Sequence, residues 1–126
     1  MAFSPVHEMI DLCKESGKPL YEVILESDLA ESGLTRAESE AEMHRLWAVM
    51  QATSDGYCGA DRSMSGFAGG DAAQVNAAAA RGVLYADGYF ADVMAEALKT
   101  AECNACMKRI VAAPTAGSCG VLPAVL

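Results

Sequence analysis

Hydrophobic positions in the first fifty residues recur at the three- and four-residue spacing of amphipathic helices. Ser4 and Pro5 suit the start of a first helix, as its N-cap and first helical residue, and Gly17 suits its end. Pro19 opens a second helix that Gly33 is predicted to stop. The apolar stripes are Val6, Met9, Ile10 and Cys13, then Leu20, Val23 and Ile24, and in a third helix Met43, Leu46, Trp47 and Met50.

Capping residues and glycines predict where the remaining helices and loops begin and end. Thr35 and Glu38 form a capping-box pattern that starts the third helix. Residues 54–71 break the helical pattern and hold five glycines, and Asp71 is predicted to cap a helix over 72–81. Asp87 is predicted to cap a longer helix, which extends to about Arg109 with the core stripe Phe90, Val93, Met94, Ala97 and Leu98. A second glycine-containing loop covers residues 110–120 and leads into an apolar element, so the pattern predicts an all-α fold of five or six helices with two glycine-rich loops.

Composition and charge narrow the class of protein. The chain has 126 residues, is 52% hydrophobic and carries a net charge of −8, which fits one compact domain. A net charge this negative argues against nucleic acid or an anionic membrane surface as a partner. No apolar run is long enough to span a bilayer. The five cysteines are an odd number without framework spacing, which favours reduced thiols and a cytoplasmic location.

The chain ends in an almost wholly apolar segment, residues 121–126, with no charge and no cap. Natural termini are usually polar and frayed. We therefore expect the 126 residues to be part of a longer, larger helical domain.

Two loops carry candidate chemistry. In residues 114–118, Thr115 and Ser118 supply hydroxyls, Gly117 allows close approach of the backbone, and Ser118 could cap a helix that begins near Cys119. A carboxylate or phosphate site is one interpretation, and an ordinary helix-capping turn is the other.

Residues 63–71 are a second candidate anion site, or a tight connection. They are not a P-loop, because the Gly-Lys-Ser/Thr ending is absent. The candidate ligands of this second loop are Ser65, Gly69, Gly70 and Asp71.

Cys103 and Cys106 form a C-x-x-C motif, and Cys119 could join them. Three thiolates can bind zinc or most of an iron–sulfur cluster. No histidine lies at metal-ligand spacing, so the pattern favours buried thiols that pack as small apolar groups over a metal site.

Three segments together resemble the α chain of iron–sulfur-dependent L-serine dehydratase. Residues 110–123, which include Pro-Thr-Ala-Gly-Ser, look like that family's signature, and residues 65–72 resemble its Ser-Gly-Leu-Thr-Gly-Gly-Asp-Ala stretch. Glu102, Asn104, Ala105 and Met107 match its Glu-Val-Asn-Ala-x-Met element. The resemblance covers essentially the whole chain and implies that residues 1–126 are the N-terminal part of the α-chain domain.

The resemblance implies that L-serine is converted to pyruvate and ammonia without pyridoxal phosphate. A [4Fe–4S] cluster is expected to act as a Lewis acid on the substrate hydroxyl. Thr115, Gly117 and Ser118 are then the candidates for holding the substrate carboxylate, and the catalytic residues stay unassigned. The implied partners are L-serine, the rest of the α chain and a β chain or domain, in an oligomer.

Departures from the family pattern limit what this chain supplies. The family's cluster-binding cysteines lie further along than Leu126, so we expect no metal ligand here and do not transfer that role to Cys103, Cys106 or Cys119. Phe67 and Ala68 replace Leu-Thr in residues 63–71, and Lys108 replaces a glycine. The isolated chain is therefore expected to be inactive. Two alternatives stay open: a helical interaction module without catalysis, or part of a related cluster-dependent L-cysteine desulfidase.

Overall fold

The computed structural model describes residues 5–84 and 88–126, and within them the chain is helical, without a strand. The elements are α1 (Val6–Ser16), α2 (Leu20–Ser32), α3 (Arg36–Asp55), α4 (Asp71–Ala80), α5 (Gly88–Ala105), a 3-10 turn (Ala116–Ser118) and α6 (Val121–Val125). Six α-helices lie within the described residues, which confirms the prediction of an all-α fold with five or six helices and two intervening glycine-rich loops. Nowhere in the two described ranges does a helix have both the length and the apolar character needed to cross a bilayer.

The chain divides into two compact units, Met1–His44 and Arg45–Leu126. In the first unit α1 packs against α2, and both helices end at the predicted glycines, Gly17 and Gly33, in the left-handed conformation. The predicted capping box is present, since the Thr35 amide donates to Glu38 Oε2 at 2.9 Å and the Glu38 amide donates to Thr35 Oγ1 at 3.3 Å. Pro5, predicted as the first helical residue of α1, is instead its N-cap, and the proposed N-cap Ser4 lies outside the described residues.

In the second unit α5 is the central element and packs against both α4 and α6. Its buried positions include Ala91, Ala95 and Cys103, whereas Phe90 and Met94 are exposed. The predicted stripe is thus wrong at Phe90 and Met94, whereas its members Val93, Ala97 and Leu98 are partly buried. Helix α5 meets its neighbours mainly through small residues, which let the backbones approach closely. Gly120, the residue before α6, shows how close: a Cβ there would lie 2.5 Å from the Ala97 carbonyl oxygen.

The end of α5 also differs from the prediction, which extended the helix to about Arg109. Met107 has a left-handed φ of 62°, and the Lys108 amide donates back to the Cys103 carbonyl at 2.9 Å. This is the hydrogen-bond pattern of a Schellman motif at a helix C-terminus. Glycine usually occupies the left-handed position of the motif, which is Met107 here. The sequence offered no glycine there, and the proposed cap of α5, Asp87, lies outside the described residues.

Replacing Met107 by glycine should stabilise the chain by about 1 kcal/mol, because a left-handed conformation costs an L-residue roughly 1–2 kcal/mol. The Met107 side chain is 82% exposed, so its loss removes little packing. Urea denaturation of Met107→Gly measures the gain. The matched control, Ala101→Gly at an exposed position within α5, should instead lose about 1 kcal/mol. Equal losses in the two variants would contradict the left-handed helix end.

Candidate substrate loop and its anchors on helix α5

Residues 114–118, here called the 114–118 loop, form a compact turn whose last three residues are the 3-10 helix. The peptide bond between Ala113 and Pro114 is cis. The Thr115 amide donates to Ser118 Oγ at 3.2 Å, and the two hydroxyl oxygens of Thr115 and Ser118 are 3.0 Å apart. The structure thus brings together two of the three predicted binding residues, with the exposed Gly117 between them.

The two hydroxyls have different surroundings. Ser118 Oγ accepts from the Thr115 amide and lies 3.1 Å from the Ala113 carbonyl and 3.2 Å from the Thr115 carbonyl, either of which can take its proton. Ser118 therefore holds the loop together. The predicted role of Ser118 as the cap of the next helix is wrong, because Gly120 occupies that position and the serine side chain turns back into its own loop. Thr115 is exposed, and its hydroxyl forms the other half of a capping box with Ser118 at the start of the 3-10 turn.

The 114–118 loop is tied to the last turn of α5. The side-chain amide of Asn104 donates to the Ala116 carbonyl oxygen at 3.1 Å. Directly after the loop, Cys119 is buried against α5, with its Sγ 3.9 Å from the Thr100 carbonyl. Both contacts place the loop relative to α5.

The second candidate loop, residues 63–71, meets an internal carboxylate. Glu102 of α5 accepts hydrogen bonds from the amides of Gly70 at 2.7 Å, Asp71 at 2.7 Å and Ala72 at 3.0 Å. These amides form the N-terminus of α4, where a negative charge is stabilised by the helix dipole. The predicted cap Asp71 is wrong in its role: Asp71 is the first residue of α4, and Glu102 satisfies the helix end instead.

Glu102 is only 6% exposed, and a fourth donor completes its surroundings. The Tyr57 hydroxyl donates to Glu102 Oε2 at 2.7 Å and accepts from the Ala73 amide at 3.3 Å. Burial by itself would raise the pKa of Glu102, but the hydrogen bonds from Tyr57 and the three amides outweigh it, so this pKa lies below its ordinary value. Burial and the bond to Glu102 raise the pKa of Tyr57 to about 12.

The anion that the 63–71 loop binds in this structure is therefore Glu102. The other predicted ligands of the loop have local roles: the exposed Ser65 lies 3.2 Å from Ser63 Oγ, and Gly69 is held in an unusual conformation with a φ of 125°. Spacing alone could not reveal Glu102, which lies thirty-two residues after Gly70. The signal that could have pointed to Glu102 is its position in the segment that resembles the family's Glu-Val-Asn-Ala-x-Met element.

The cysteines do not form a set of metal ligands. Cys103 and Cys119 are 2% and 1% exposed, and their Sγ atoms lie near two different carbonyls, those of Thr53 at 3.7 Å and Thr100 at 3.9 Å. Burial raises the pKa of both thiols, which opposes the thiolate form that metals and clusters require. Among the described residues no group of three His, Cys, Asp or Glu side chains has the geometry to hold a metal ion. The donor set in this part of the chain therefore does not fit an iron–sulfur cluster.

Comparisons with known proteins match this chain over most of its length. The L-serine dehydratase alpha chain of Peptoniphilus asaccharolyticus is 35% identical over 120 residues, which cover 94% of this chain and 41% of that protein. The probable L-serine dehydratase alpha chain of Bacillus subtilis is 31% identical over 124 residues, 98% of this chain and 41% of that protein. The chain thus spans about two fifths of the length of these curated relatives. No solved structure matches it significantly. Residues 15–126 match the family described as serine dehydratase alpha chain, and the chain belongs to that family.

Proposed function

We propose that this chain is part of an L-serine dehydratase, which converts L-serine to pyruvate and ammonia, and that it supplies the loop that holds the substrate carboxylate. The observation that carries the proposal is the exposed 114–118 loop, which lies inside the stretch that matches the family. The proposed ligands of the carboxylate are the Thr115 hydroxyl and the backbone at Gly117, with Ser118 as the residue that keeps the turn closed.

The geometry favours this loop over the 63–71 loop as the carboxylate site. At the start of α4 the three amides already bind the Glu102 carboxylate, which is buried and ionised. A second carboxylate there would meet a like charge and no vacant donors. In the 114–118 loop, the Ala116 and Gly117 amides precede the first hydrogen bond of the 3-10 turn, which the Ser118 amide donates to the Thr115 carbonyl, and Thr115 is exposed.

The cluster chemistry is proposed to come from outside these residues. Because Cys103 and Cys119 are buried and burial raises the pKa of both thiols, we place the ligands of a [4Fe–4S] cluster in sequence beyond Leu126, and assign this chain substrate binding and scaffolding. The remaining α-chain sequence and a β chain or domain are the proposed partners in an oligomer. Iron and sulfide analysis after anaerobic reconstitution tests this: a stoichiometric cluster in residues 1–126 alone would contradict it.

Replacing Thr115 by valine in the assembled enzyme should raise KM for L-serine by roughly 10- to 100-fold, because a hydrogen bond to a charged group contributes about 1.5–3 kcal/mol. The change keeps the size of the side chain and removes its hydroxyl. Steady-state pyruvate formation gives KM and kcat.

Thr100→Val is the matched control, because Thr100 is buried and its hydroxyl has no hydrogen-bond partner within the described residues. That variant should keep the kinetics of the unmodified enzyme. An unchanged KM in Thr115→Val would remove Thr115 from the site. The same assay with L-cysteine distinguishes serine dehydration from sulfide release, and pyruvate formed from L-cysteine but not from L-serine would contradict the proposed substrate.

A further inference from the structure

We propose that Asn104 is a positioning residue for the substrate: its side-chain amide holds the Ala116 carbonyl and thereby sets the shape of the 114–118 loop. This inference rests on the proposed function, because it assigns the loop to L-serine. Asn104 itself is not proposed to touch the substrate.

Asn104 is well placed for this role because α5 is anchored close to the loop. It lies in the last turn of α5, two residues after Glu102, whose buried carboxylate fastens that turn to the start of α4. Residues two apart point to different sides of a helix, so Glu102 and Asn104 hold different loops. The turn then closes through the bond from the Lys108 amide to the Cys103 carbonyl.

The bond from Asn104 differs in kind from the other bonds of the loop. Within the described ranges, the side-chain hydrogen bonds of Thr115 and Ser118 connect these residues to one another and to Ala113, so they keep the turn closed without fixing it to the rest of the fold. The Asn104 amide reaches the loop from another helix, twelve residues away in sequence.

The bond also fixes the direction of a carbonyl dipole. With Asn104 in place, the oxygen of Ala116 is turned to α5 and accepts the amide at 3.1 Å. Without that donor the peptide is free to rotate, and a carbonyl oxygen turned towards a bound carboxylate would repel it. Since the carboxylate takes no part in bond breaking, its contacts stabilise ground state and transition state alike, and their loss raises KM without lowering kcat.

The test compares Asn104→Leu with Asn76→Leu in the assembled enzyme. The control makes the same chemical change at the chain's other asparagine, which is exposed on α4. Hydrogen–deuterium exchange by mass spectrometry follows the peptides that cover residues 113–119, and pyruvate formation gives KM and kcat for L-serine. For Asn104→Leu we expect exchange in this loop to become about fivefold to tenfold faster and KM to rise by a similar factor, with kcat within twofold. Asn76→Leu should change none of these values.

Each outcome decides the inference. Unchanged exchange in Asn104→Leu would overturn it without affecting the proposed function. Faster exchange with an unchanged KM would assign Asn104 a purely structural role and also overturn it. If the unmodified enzyme does not turn over L-serine, the proposed function fails and the serine-positioning role fails with it, whereas the exchange result still reports whether Asn104 holds the loop. If Asn104→Leu does not fold, Asn104→Ala removes the same donor with a smaller change of shape.

Discussion

Replacing Glu102 by glutamine is expected to lower the free energy of unfolding by about 3 kcal/mol. Oε1 accepts from the Asp71 and Ala72 amides, and Oε2 accepts from the Gly70 amide and the Tyr57 hydroxyl. Glutamine retains one oxygen, so its NH₂ group must face two donors, and the charge that favours the start of α4 is lost. Urea denaturation at neutral pH measures the effect.

Glu96→Gln is the control for this change, because Glu96 lies on the same helix and its half-buried carboxylate pairs with Lys99 at 2.8 Å. It should cost less than about 1 kcal/mol. The pH dependence gives a second criterion. Because the pKa of Glu102 lies below its ordinary value, its contribution to stability is present above that ordinary value and is lost as the pH falls through the lowered pKa. The Glu102→Gln variant should lack this part of the acid transition, and equal losses in Glu96→Gln and Glu102→Gln would contradict the assignment.

Replacing Gly69 by alanine is expected to destabilise the chain by about 3–4 kcal/mol. The φ of 125° lies where L-residues are strained by about 1–3 kcal/mol. In addition, a Cβ at this position would lie 2.2 Å from the Asp61 carbonyl oxygen and 3.2 Å from the Arg62 Cα. Both are backbone atoms that cannot rotate away, so the 63–71 loop must shift and pull the Gly70 amide from Glu102.

Gly66→Ala separates the two causes in the same loop. Gly66 also has a positive φ, 76°, but a Cβ there would meet no atom within 4 Å. It should therefore cost only about 1–2 kcal/mol, the conformational part alone. Chemical denaturation of both variants, together with exchange at the Gly70–Ala72 amides, gives the comparison. A cost at Gly69 no larger than that at Gly66 would show that the loop does not approach Asp61 so closely.

Local chemistry accounts for the parts of the fold that were predictable. The bounds of α1 and α2 follow from proline at their starts and from glycine after their ends, and the start of α3 follows from the capping box of Thr35 and Glu38. These signals act within a few residues and depend little on the remaining structure.

The errors occurred where packing outweighs local preference. In α5 the larger side chains of Phe90 and Met94 are exposed, while Ala91 and Ala95 are buried, because close approach of α4 and α6 requires small residues at the contact. Helix α5 ends earlier than its periodicity indicates, since Met107 adopts a left-handed conformation for which sequence offers no signal.

The same distinction between local signals and packing applies to the candidate site. Sequence by itself determined the all-α class, the two glycine-containing loops and, through short motifs, the serine dehydratase family. The assignment of Thr115, Gly117 and Ser118 to a carboxylate site stays a prediction from the sequence. Only the tertiary structure decided that Glu102 fills the anion site at the start of α4 and that Asn104 reaches the Ala116 carbonyl. Periodicity and caps report on neighbours along the chain. A buried carboxylate finds its donors thirty residues away, and that pairing depends on how α4 and α5 pack.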